Sequence, residues 1–451
     1  MTKYVIVGNG VTGTRAAEVI RRADESADVT ILTEEPHPFY RRPQLADFAS
    51  GEVGEARMWA RKRSFYEDNR FDLRLSTKVV GLDVDGHVLA LADGGSVPFN
   101  RLLVATGRDV TSERLRGGDL PGVNRFKTLE EARAIRELDG TGTTGVVFGN
   151  GMVALELVRA LTSSGFSTTY LVPTETLWPE VLDKDAADIA LSRLHAAGAQ
   201  VVFGAGIEAV ESSDGCAGEV VLSNGDILRA DLVGLCSGYV PATGFLPDGG
   251  ILTVGPGFTT PWTDVYVAGD VTVDPSRNYF NWLRSWRQGA SAGAAMVGRA
   301  DAEEQASIDT LNTQVLGLSL VALGRTIAPY RSGYSEMRGD YPYGEFYKKL
   351  IFSSDEVLVG ALLVGNIAEA AALEQAIRTG TNKADLPDDL LHQMFDVTYK
   401  AAYLGVQCPV CRHEIQLAKG AAEGDLVTCP VCGTDFDLVK GDVGFKARIA
   451  R

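Results

Sequence analysis

The chain has 451 residues, of which 45% are hydrophobic and 23% are charged, so its composition is that of a globular protein with roughly two to four domains. Its formal net charge of −16 argues against nucleic acid and anionic membranes as partners, because both require clustered positive charge. The chain has no apolar run of about 18 residues and begins in a strand without a signal-peptide pattern. We therefore expect a cytoplasmic protein without a membrane span.

The first predicted unit is a strand, a glycine-rich turn, a helix and a second strand. The strand Tyr4–Val7 leads into the sequence GNGVTG at residues 8–13, which is followed by the helical stretch Thr14–Ala23. The second strand, Val29–Leu32, is followed by the acidic pair Glu34–Glu35. Glycines in this turn let the backbone approach a pyrophosphate, the helix N-terminus stabilises its charge, and an acid accepts from a ribose hydroxyl. The pattern predicts a dinucleotide-binding unit rather than a purely structural turn.

A second unit repeats the pattern more than a hundred residues later. The strand Gly145–Phe148 precedes GNGMVA at residues 149–154, and the helix Leu155–Ser163 and the strand Ser167–Val172 follow. Alanine occupies the third glycine position of this motif. Two such units in one chain predict two dinucleotides, typically a flavin and a nicotinamide.

Three other apolar strands end in small residues, where the backbone can pass close to a ligand. These ends are Ala105-Thr106-Gly107, Gly238 and Gly269-Asp270. Residues 313–385 have the pattern of mixed strands with one clear helix, Ala368–Arg378, and predict a third domain.

Four of the six cysteines form two CxxC pairs near the C-terminus: Cys408, Cys411, Cys429 and Cys432. Two such pairs, 17 residues apart, can bring four thiolates together around zinc or a single iron. Three short alternating segments between and after the pairs predict strands, as in a zinc ribbon. Six cysteines in so long a chain do not make a disulfide framework, and CxxC pairs in a reduced compartment are typical of metal ligands or redox centres.

Taken together, these motifs resemble the FAD-dependent pyridine nucleotide oxidoreductases. The similarity is greatest to the rubredoxin reductase and NADH oxidase group and to the flavin part of assimilatory nitrite reductase, over residues 3 to 390. It is carried by both glycine motifs and by five further segments: Glu34–Pro43, Leu103–Gly107, Val123–Leu138, Tyr266–Asp270 and Tyr347–Gly365.

The resemblance implies an α/β protein with two Rossmann-like dinucleotide-binding domains arranged as in glutathione reductase, a small α+β C-terminal domain and a four-cysteine zinc ribbon. The implied FAD-binding domain is discontinuous, at residues 1–109 and 239–305. The NAD(P)-binding domain, residues 110–238, is inserted into it. The α+β domain follows at 306–398 and the ribbon at 399–451.

The resemblance also implies roles for individual residues. For FAD, it places the pyrophosphate at Gly8, Gly10 and Gly13, the adenosine ribose at Glu34 or Glu35, and the adenine at the Val79 backbone. It places the isoalloxazine beside Arg42 and Pro43, the cofactor bed at Thr106 and Gly107, and the ribityl or pyrophosphate region at Asp270, with the backbone neighbours of Asp270, such as Gly269, facing the flavin. Ala105 and Gly238 are further cofactor-binding candidates at strand ends. For the nicotinamide nucleotide, it implies Gly149, Gly151 and Glu156.

Three features depart from the family pattern. No cysteine precedes Cys216, so a flavin-to-thiol relay is not expected, and Cys216 and Cys236 are interpreted as structural. Asp47 stands where the ferredoxin-reductase branch usually has a lysine near the flavin. The second strand of the second unit ends without the acid that selects NAD or the arginine that selects NADP, and Glu175 comes three residues late. Preference between NADH and NADPH therefore stays open.

Trp282 and Trp286 are at helical spacing, which predicts either core packing or an aromatic wall of a substrate pocket. The four-cysteine segment resembles the small zinc-ribbon carrier protein of lysine biosynthesis. That carrier ends in an acidic tail with a cargo-bearing glutamate, whereas this chain ends at Arg451, so the carrier chemistry is not implied. Zinc is favoured over a rubredoxin-like iron because the aromatic core of rubredoxins is missing.

Two functions from different classes follow. In the first, NAD(P)H reduces FAD, which passes electrons to a redox protein or small-molecule acceptor without a redox disulfide. In the alternative, the nicotinamide site has degenerated and the chain is a flavin-bearing subunit that docks a partner enzyme through the ribbon. A homodimer is compatible with both.

Overall fold

The structure is a computed structural model. It describes residues 1–110, 115–138, 140–247, 254–272, 282–299, 308–328, 333–339, 346–397, 405–407, 414–417, 421–429, 435–440 and 445–449. The chain divides into two compact units. Unit 1 comprises Met1–Pro179, Ala190–Ser307 and Gln314–Gly317, and unit 2 comprises the remaining segments, Glu180–Ile189, Ile308–Thr313 and Leu318–Arg451.

The first part of the chain alternates strands and helices around the first glycine motif. In chain order its elements are β1 (Lys3–Val7), α1 (Val11–Ala23), β2 (Asp28–Leu32), α2 (Leu45–Ala49), α3 (Arg63–Asp68), β3 (Phe71–Arg74), β4 (Val79–Asp83), β5 (Val88–Leu91), β6 (Ser96–Pro98), β7 (Arg101–Val104) and β8 (Arg108–Val110).

The segment that contains the second glycine motif follows. Its elements are β9 (Val123–Asn124), α4 (Leu129–Glu137), β10 (Thr144–Gly149), α5 (Met152–Ser163), β11 (Ser167–Val172), α6 (Lys184–Ala196), β12 (Gln200–Phe203), β13 (Ile207–Ser213), β14 (Cys216–Leu222), β15 (Ile227–Arg229), β16 (Leu232–Cys236), β17 (Tyr239–Pro241), β18 (Val265–Val267) and α7 (Trp282–Met296).

The last part of the chain is richer in antiparallel strands. Its elements are β19 (Thr310–Val315), β20 (Leu318–Gly324), β21 (Ser335–Gly339), β22 (Tyr347–Phe352), β23 (Leu358–Val364), α8 (Ala370–Thr379), β24 (Met394–Asp396), β25 (Gly405–Gln407), β26 (Glu414–Gln416), β27 (Leu426–Thr428), β28 (Asp435–Lys440) and β29 (Phe445–Ile449).

Two parallel five-stranded sheets organise unit 1. The first has the order β18-β7-β1-β2-β3 and the second the order β12-β11-β10-β16-β9. The central strands are apolar because parallel strands are buried on both faces. Strand β18 joins the first sheet although the whole second sheet lies between it and β7 in the chain. The predicted α/β class is confirmed, and the domain boundaries given above stay a prediction.

Helices α1 and α7 pack closely because α7 carries glycines on the contact side. A methyl group at Gly289 would lie 2.3 Å from the Thr12 carbonyl oxygen, and one at Gly293 would lie 2.8 Å from that of Ala16. The Thr12 hydroxyl also donates to the Ser285 carbonyl at 3.1 Å. This contact holds the α7 residues Ser285 and Gln288 beside the end of β18.

The sequence located the elements around both glycine motifs closely. Strand β11 has the predicted limits, and β10 is one residue longer at each end than predicted. Both motif helices begin three residues earlier than predicted, at Val11 and at Met152, because each helix starts directly after the second glycine. The helix predicted at 368–378 lies at Ala370–Thr379. None of the helices among the described residues is long and apolar enough to cross a membrane.

Unit 2 contains a six-stranded sheet with the order β19-β20-β23-β22-β21-β24, and α8 packs on its core. The ribbon region forms a hairpin, β25-β26, and a three-stranded sheet, β27-β28-β29. Strands β26, β27 and β28 coincide with the three segments predicted from alternation, whereas β25 and β29 were not predicted.

A buried ion pair stabilises unit 2. The Lys349 ammonium, on β22, is almost fully buried and lies 2.7 Å from the Asp183 carboxylate. The Tyr347 hydroxyl also donates to this carboxylate, at 2.5 Å. Burial would raise the pKa of Asp183, but Lys349 and these hydrogen bonds hold it below its usual value.

Asp183→Ala should lower the free energy of unfolding by about 3–5 kcal/mol, because it leaves the Lys349 charge buried without a partner. The difference in free energy of unfolding between the wild type and this variant should shrink below about pH 4. A carboxylate with a lowered pKa contributes stability that is lost as it protonates. Chemical denaturation at two pH values measures both effects. Asp188→Ala is the matched control, because its ion pair with Lys184 is exposed and should change stability little.

Candidate functional site

The first glycine motif brings the ends of β1 and β7 into backbone contact. Gly8 has a φ of +114°, and a methyl group there would lie 2.2 Å from the Ala105 carbonyl oxygen. A methyl group at Gly13 would lie 2.0 Å from the Gly8 carbonyl oxygen. Gly10 differs, because no atom lies within 4 Å of the corresponding position. The motif is therefore closed towards the sheet and open in front of the α1 N-terminus.

The middle residue of this motif, Asn9, was not selected from the sequence. Its side-chain oxygen accepts from the Tyr66 hydroxyl at 2.9 Å. Its buried amide Nδ2 has no hydrogen-bond partner among the described residues. An unsatisfied buried donor costs free energy, so the group is suited to a ligand acceptor. An asparagine between two glycines was the available signal.

The structure separates the two acids that follow β2. Glu34 is exposed, and its carboxylate lies 3.6 Å from the Lys78 ammonium. Glu35 accepts from the Tyr40 hydroxyl at 2.7 Å and forms an ion pair with Arg42. Glu35 is therefore committed to internal contacts, and Glu34 is the acid available to a ligand at the end of β2.

Asp270 follows β18 and is held from two sides. The Ser285 hydroxyl donates to its carboxylate at 2.8 Å, and the Arg108 guanidinium donates to its carbonyl at 2.6 Å. Burial raises the pKa of Asp270, an effect that Ser285 and nearby arginines oppose. Gly269, with a φ of +88°, has no room for a methyl group because Thr12 Oγ1 would lie 2.4 Å from it.

The other predicted residues of the first sheet lie at strand ends. The Thr106 hydroxyl donates to the Ala242 carbonyl at 2.8 Å, and the position beside Gly107 is open. Pro43 lies in a short 3-10 helix after Arg42. Val79 is buried at the start of β4.

The second glycine motif repeats the closure towards its own sheet. Gly149 has a φ of +149°, and a methyl group there would lie 2.3 Å from the Cys236 carbonyl oxygen. Gly151 precedes the first residue of α5. Gly238, with a φ of +144°, follows the neighbouring strand β16. Strand β11 ends at Val172, and Pro173 and Thr174 follow it.

Asp47 is paired with a cation that the sequence did not indicate. The guanidinium of Arg159, on α5, lies 2.5 Å from the Asp47 carboxylate and 3.5 Å from that of Glu52. Arg159 is one turn after Glu156 on the same helix. A positive charge is therefore present here, but it comes from α5 and is neutralised by Asp47.

Burial raises the pKa of Glu156 to about 7, with Arg159 lowering it and Asp47 raising it. A carboxyl group of this kind changes charge near neutral pH, where a group that contacts a ligand can couple binding to protonation.

The two tryptophans of α7 line a surface cleft of about 200 Å³. Trp282 and Trp286 are 37% and 38% exposed, so the core-packing interpretation is wrong. Trp282 stacks on Phe39 with ring centroids 5.4 Å apart, and the Arg15 guanidinium lies 4.2 Å from the centre of the Trp286 ring.

Residues 2–293 match the family model described as pyridine nucleotide-disulphide oxidoreductase. The chain belongs to this family. The prediction of an FAD- and NAD(P)-dependent oxidoreductase is thereby confirmed at the level of the family.

Relatives of this pyridine nucleotide oxidoreductase include a protein named as a subunit and others named as reductases. It is 27% identical, over 85% of its length and 93% of the relative, to the NADH-dependent phenylglyoxylate dehydrogenase subunit epsilon of Aromatoleum evansii. It is 27% identical to the rubredoxin-NAD(+) reductase of Pseudomonas putida over 61% of this chain and 73% of that one. Among solved structures it matches the putidaredoxin reductase–putidaredoxin complex with a TM-score of 0.77 at 18% identity, covering 86% and 95% of the two chains.

Residues 406–443 of the oxidoreductase match a second model, the alpha-aminoadipate carrier protein LysW-like globular domain, which confirms the ribbon resemblance. Cys429 is buried beside Phe436 and Leu438. Cys408, Cys411 and Cys432 lie outside the described residues. Within the described part of the chain, no group of three or more potential metal ligands is found.

The other two cysteines of the oxidoreductase do not lie together. Cys216 is exposed on β14, at the β13–β14 hairpin, and Cys236 is buried on β16. Burial raises the pKa of the Cys236 thiol, which makes it a poor nucleophile. The structural interpretation of Cys236 therefore agrees with its surroundings.

Glu156→Gln should raise the free energy of unfolding at pH 8 by on the order of 1–3 kcal/mol but change it little at pH 5. A carboxyl group with a raised pKa is uncharged in the fold, so ionising it costs stability as pH rises from about 4 to about 7. Thermal denaturation of both proteins at pH 5 and at pH 8 measures the difference. An equal effect of the substitution at both pH values would contradict the raised pKa.

Proposed function

We propose that this protein is an FAD-dependent NADH oxidoreductase that passes electrons to a protein acceptor without a redox disulfide. The observation that carries the proposal is that each glycine motif is closed towards its own parallel sheet and leads directly into the N-terminus of a helix. We call each glycine motif, together with the helix N-terminus that follows it, a cradle. Two such cradles in one chain fit two dinucleotides, one for each sheet.

The residues of the first cradle fit FAD. Gly8 and Gly13 allow the tight loop, the open side of Gly10 leaves room for the pyrophosphate, and the α1 N-terminus opposes its charge. The unpartnered Nδ2 of Asn9 supplies a further donor. Glu34, which is exposed and has only an exposed contact with Lys78, is the acid proposed to accept from the adenosine ribose, because Glu35 is paired with Arg42.

The strand ends beside this cradle form the proposed flavin bed. The residues that line it are Arg42, Pro43, Ala105, Thr106, Gly107, Gly269 and Asp270, with Val79 placed beside the adenine. Asp270 is oriented by Ser285 and Arg108, so its carboxylate is fixed before a ligand arrives. When bound, FAD supplies hydride acceptance and onward electron transfer, and the protein supplies orientation and electrostatics.

The second cradle, with Gly149, Gly151, Glu156 and Gly238, is the proposed nicotinamide nucleotide site. We assign NADH rather than NADPH because no lysine or arginine lies between the end of β11 and Lys184. A 2′-phosphate needs a cation there, and the exposed carboxylate of Glu175 would repel it. The Aromatoleum relative is named as NADH-dependent and the Pseudomonas relative as NAD(+)-linked, which agrees with this assignment.

The acceptor is proposed to be a redox protein. The Pseudomonas relative is named for rubredoxin, and the matched crystal structure is a complex of a reductase with putidaredoxin. The alternative, a subunit of a larger enzyme, is favoured by one observation: the Aromatoleum relative, matched over 93% of its length, is itself named as a subunit. CxxC pairs that hold a metal need reduced cysteines, which would place the protein in a reducing compartment such as the cytoplasm.

Anaerobic titration with NADH should bleach the visible flavin absorbance rapidly, and NADPH should do so far more slowly. Gly151→Asp places a negative charge at the α5 N-terminus, so it should abolish reduction by NADH. It should leave dithionite reduction and FAD content unchanged, which separates a blocked nucleotide site from a damaged flavin site. If neither nucleotide reduces the wild-type flavin, the reductase function is excluded and the subunit function is left.

We also propose that Cys408, Cys411, Cys429 and Cys432 hold a structural zinc that stabilises the ribbon as a docking module. The purified protein should contain about one zinc per chain by elemental analysis. Cys429→Ser should release the metal while FAD content and NADH reduction persist. Cys216→Ser is the control and should retain the metal. A red protein that contains iron would refute the zinc assignment.

A further inference from the structure

The loop that follows β11 folds back onto the second glycine motif. Asn150, the middle residue of that motif, accepts from the Trp178 backbone N–H at 2.6 Å. Its amide group donates to the Thr174 hydroxyl and, at 3.3 Å, to the Thr176 carbonyl. One side chain thus fixes the loop at three points. In the first motif, by contrast, the Asn9 Nδ2 has no partner among the described residues.

Trp178 adopts an unusual conformation at the end of this loop. Its φ is +45°, in the left-handed region that non-glycine residues rarely adopt, and the residue is only 4% exposed. Such backbone strain persists only where the surroundings impose it, and here Asn150 does so. The indole is therefore held in a defined place against the motif.

The indole nitrogen of Trp178 lies beside Gly151. A methyl group on Gly151 would have one neighbour within 4 Å, the Trp178 Nε1 at 3.8 Å. Among the described residues, the hydrogen bond of Trp178 is made by its backbone N–H to Asn150, and the indole nitrogen makes none. The indole nitrogen is not one of the fully buried polar atoms that lack a partner, so its N–H is accessible to a ligand acceptor at this position.

A second buried polar group lies at the same place. The Tyr170 hydroxyl, on β11, is fully buried and has no partner at hydrogen-bond distance within the described chain. Burial raises the pKa of Tyr170, and the nearby Gly151 N–H opposes this effect. The first turn of α5, Met152–Leu155, contains no acid. The N-terminus of α5 therefore has no acid in its first turn that would oppose a bound anion.

We propose that the indole N–H of Trp178 is a ligand of the pyrophosphate of the bound nicotinamide dinucleotide, alongside the backbone of the glycine motif. This proposal rests on the proposed function. Trp178 supplies a fixed donor to a charged acceptor, and such a hydrogen bond is stronger than one between neutral groups. Tyr170 acts as a positioning residue beneath Gly151.

The test is calorimetric binding of NAD+ and of ADP-ribose to the full-length, FAD-loaded chain. Trp178→Phe removes the N–H and keeps an aromatic ring, so it should weaken both ligands about tenfold. Trp178→His retains a ring N–H and should bind within about threefold of the wild type. Trp262→Phe is the matched control, because Trp262 packs on the core of the first sheet and should leave both affinities unchanged.

A second readout does not depend on the folding of Trp178→Phe. Inorganic pyrophosphate should shift the tryptophan emission of the wild-type chain, and NAD+ should compete with it. Equal NAD+ affinities for wild type and Trp178→Phe, or no emission shift, would overturn the role of Trp178. Such results would leave the reductase function intact if NADH still reduces the flavin. Failure of that reduction in the wild type instead overturns the proposed function.

Discussion

Backbone-to-backbone contact at the carboxyl ends of parallel strands is the constraint on which both cradles depend. Gly8 lies against Ala105, and Gly149 lies against Cys236, at distances that leave no room for a side chain. Because each loop is pressed onto its sheet, the following helix starts at once and points its N-terminus at the open side. The same absence of side chains at Gly289 and Gly293 brings α7 onto α1 and thereby sets the place of Ser285 beside Asp270.

The two cradles use the same motif differently. In the first, the Asn9 amide nitrogen has no hydrogen-bond partner among the described residues, and the carboxylate of Glu34 at the end of β2 is exposed. In the second, Asn150 is occupied by the loop after β11, and an indole lies where the first cradle is open. A site that no longer binds a nucleotide would be expected to lose such organisation. The restrained loop therefore favours a retained nucleotide site with an altered loop over a degenerate one.

An ion pair and a buried carboxyl group lie beside the proposed nicotinamide site. Asp47 is paired with Arg159 of α5. Glu156 lies next to this pair on α5 and has a pKa near neutrality because burial opposes its ionisation.

The sequence by itself determined the α/β class, both glycine motifs, the strands around them, the absence of a cysteine pair near the flavin and the four-cysteine ribbon. These features are local: a strand, a turn and a helix signal themselves through apolar runs and glycine spacing. The tertiary structure decided that Glu35 is paired internally while Glu34 is exposed, and that Asp47 meets Arg159. It also decided that Trp282 and Trp286 line a cleft and that Trp178 lies against Gly151. Each of these depends on a pairing between residues far apart in the chain or on the path of a loop, and neither hydrophobic periodicity nor motif spacing encodes which partners meet.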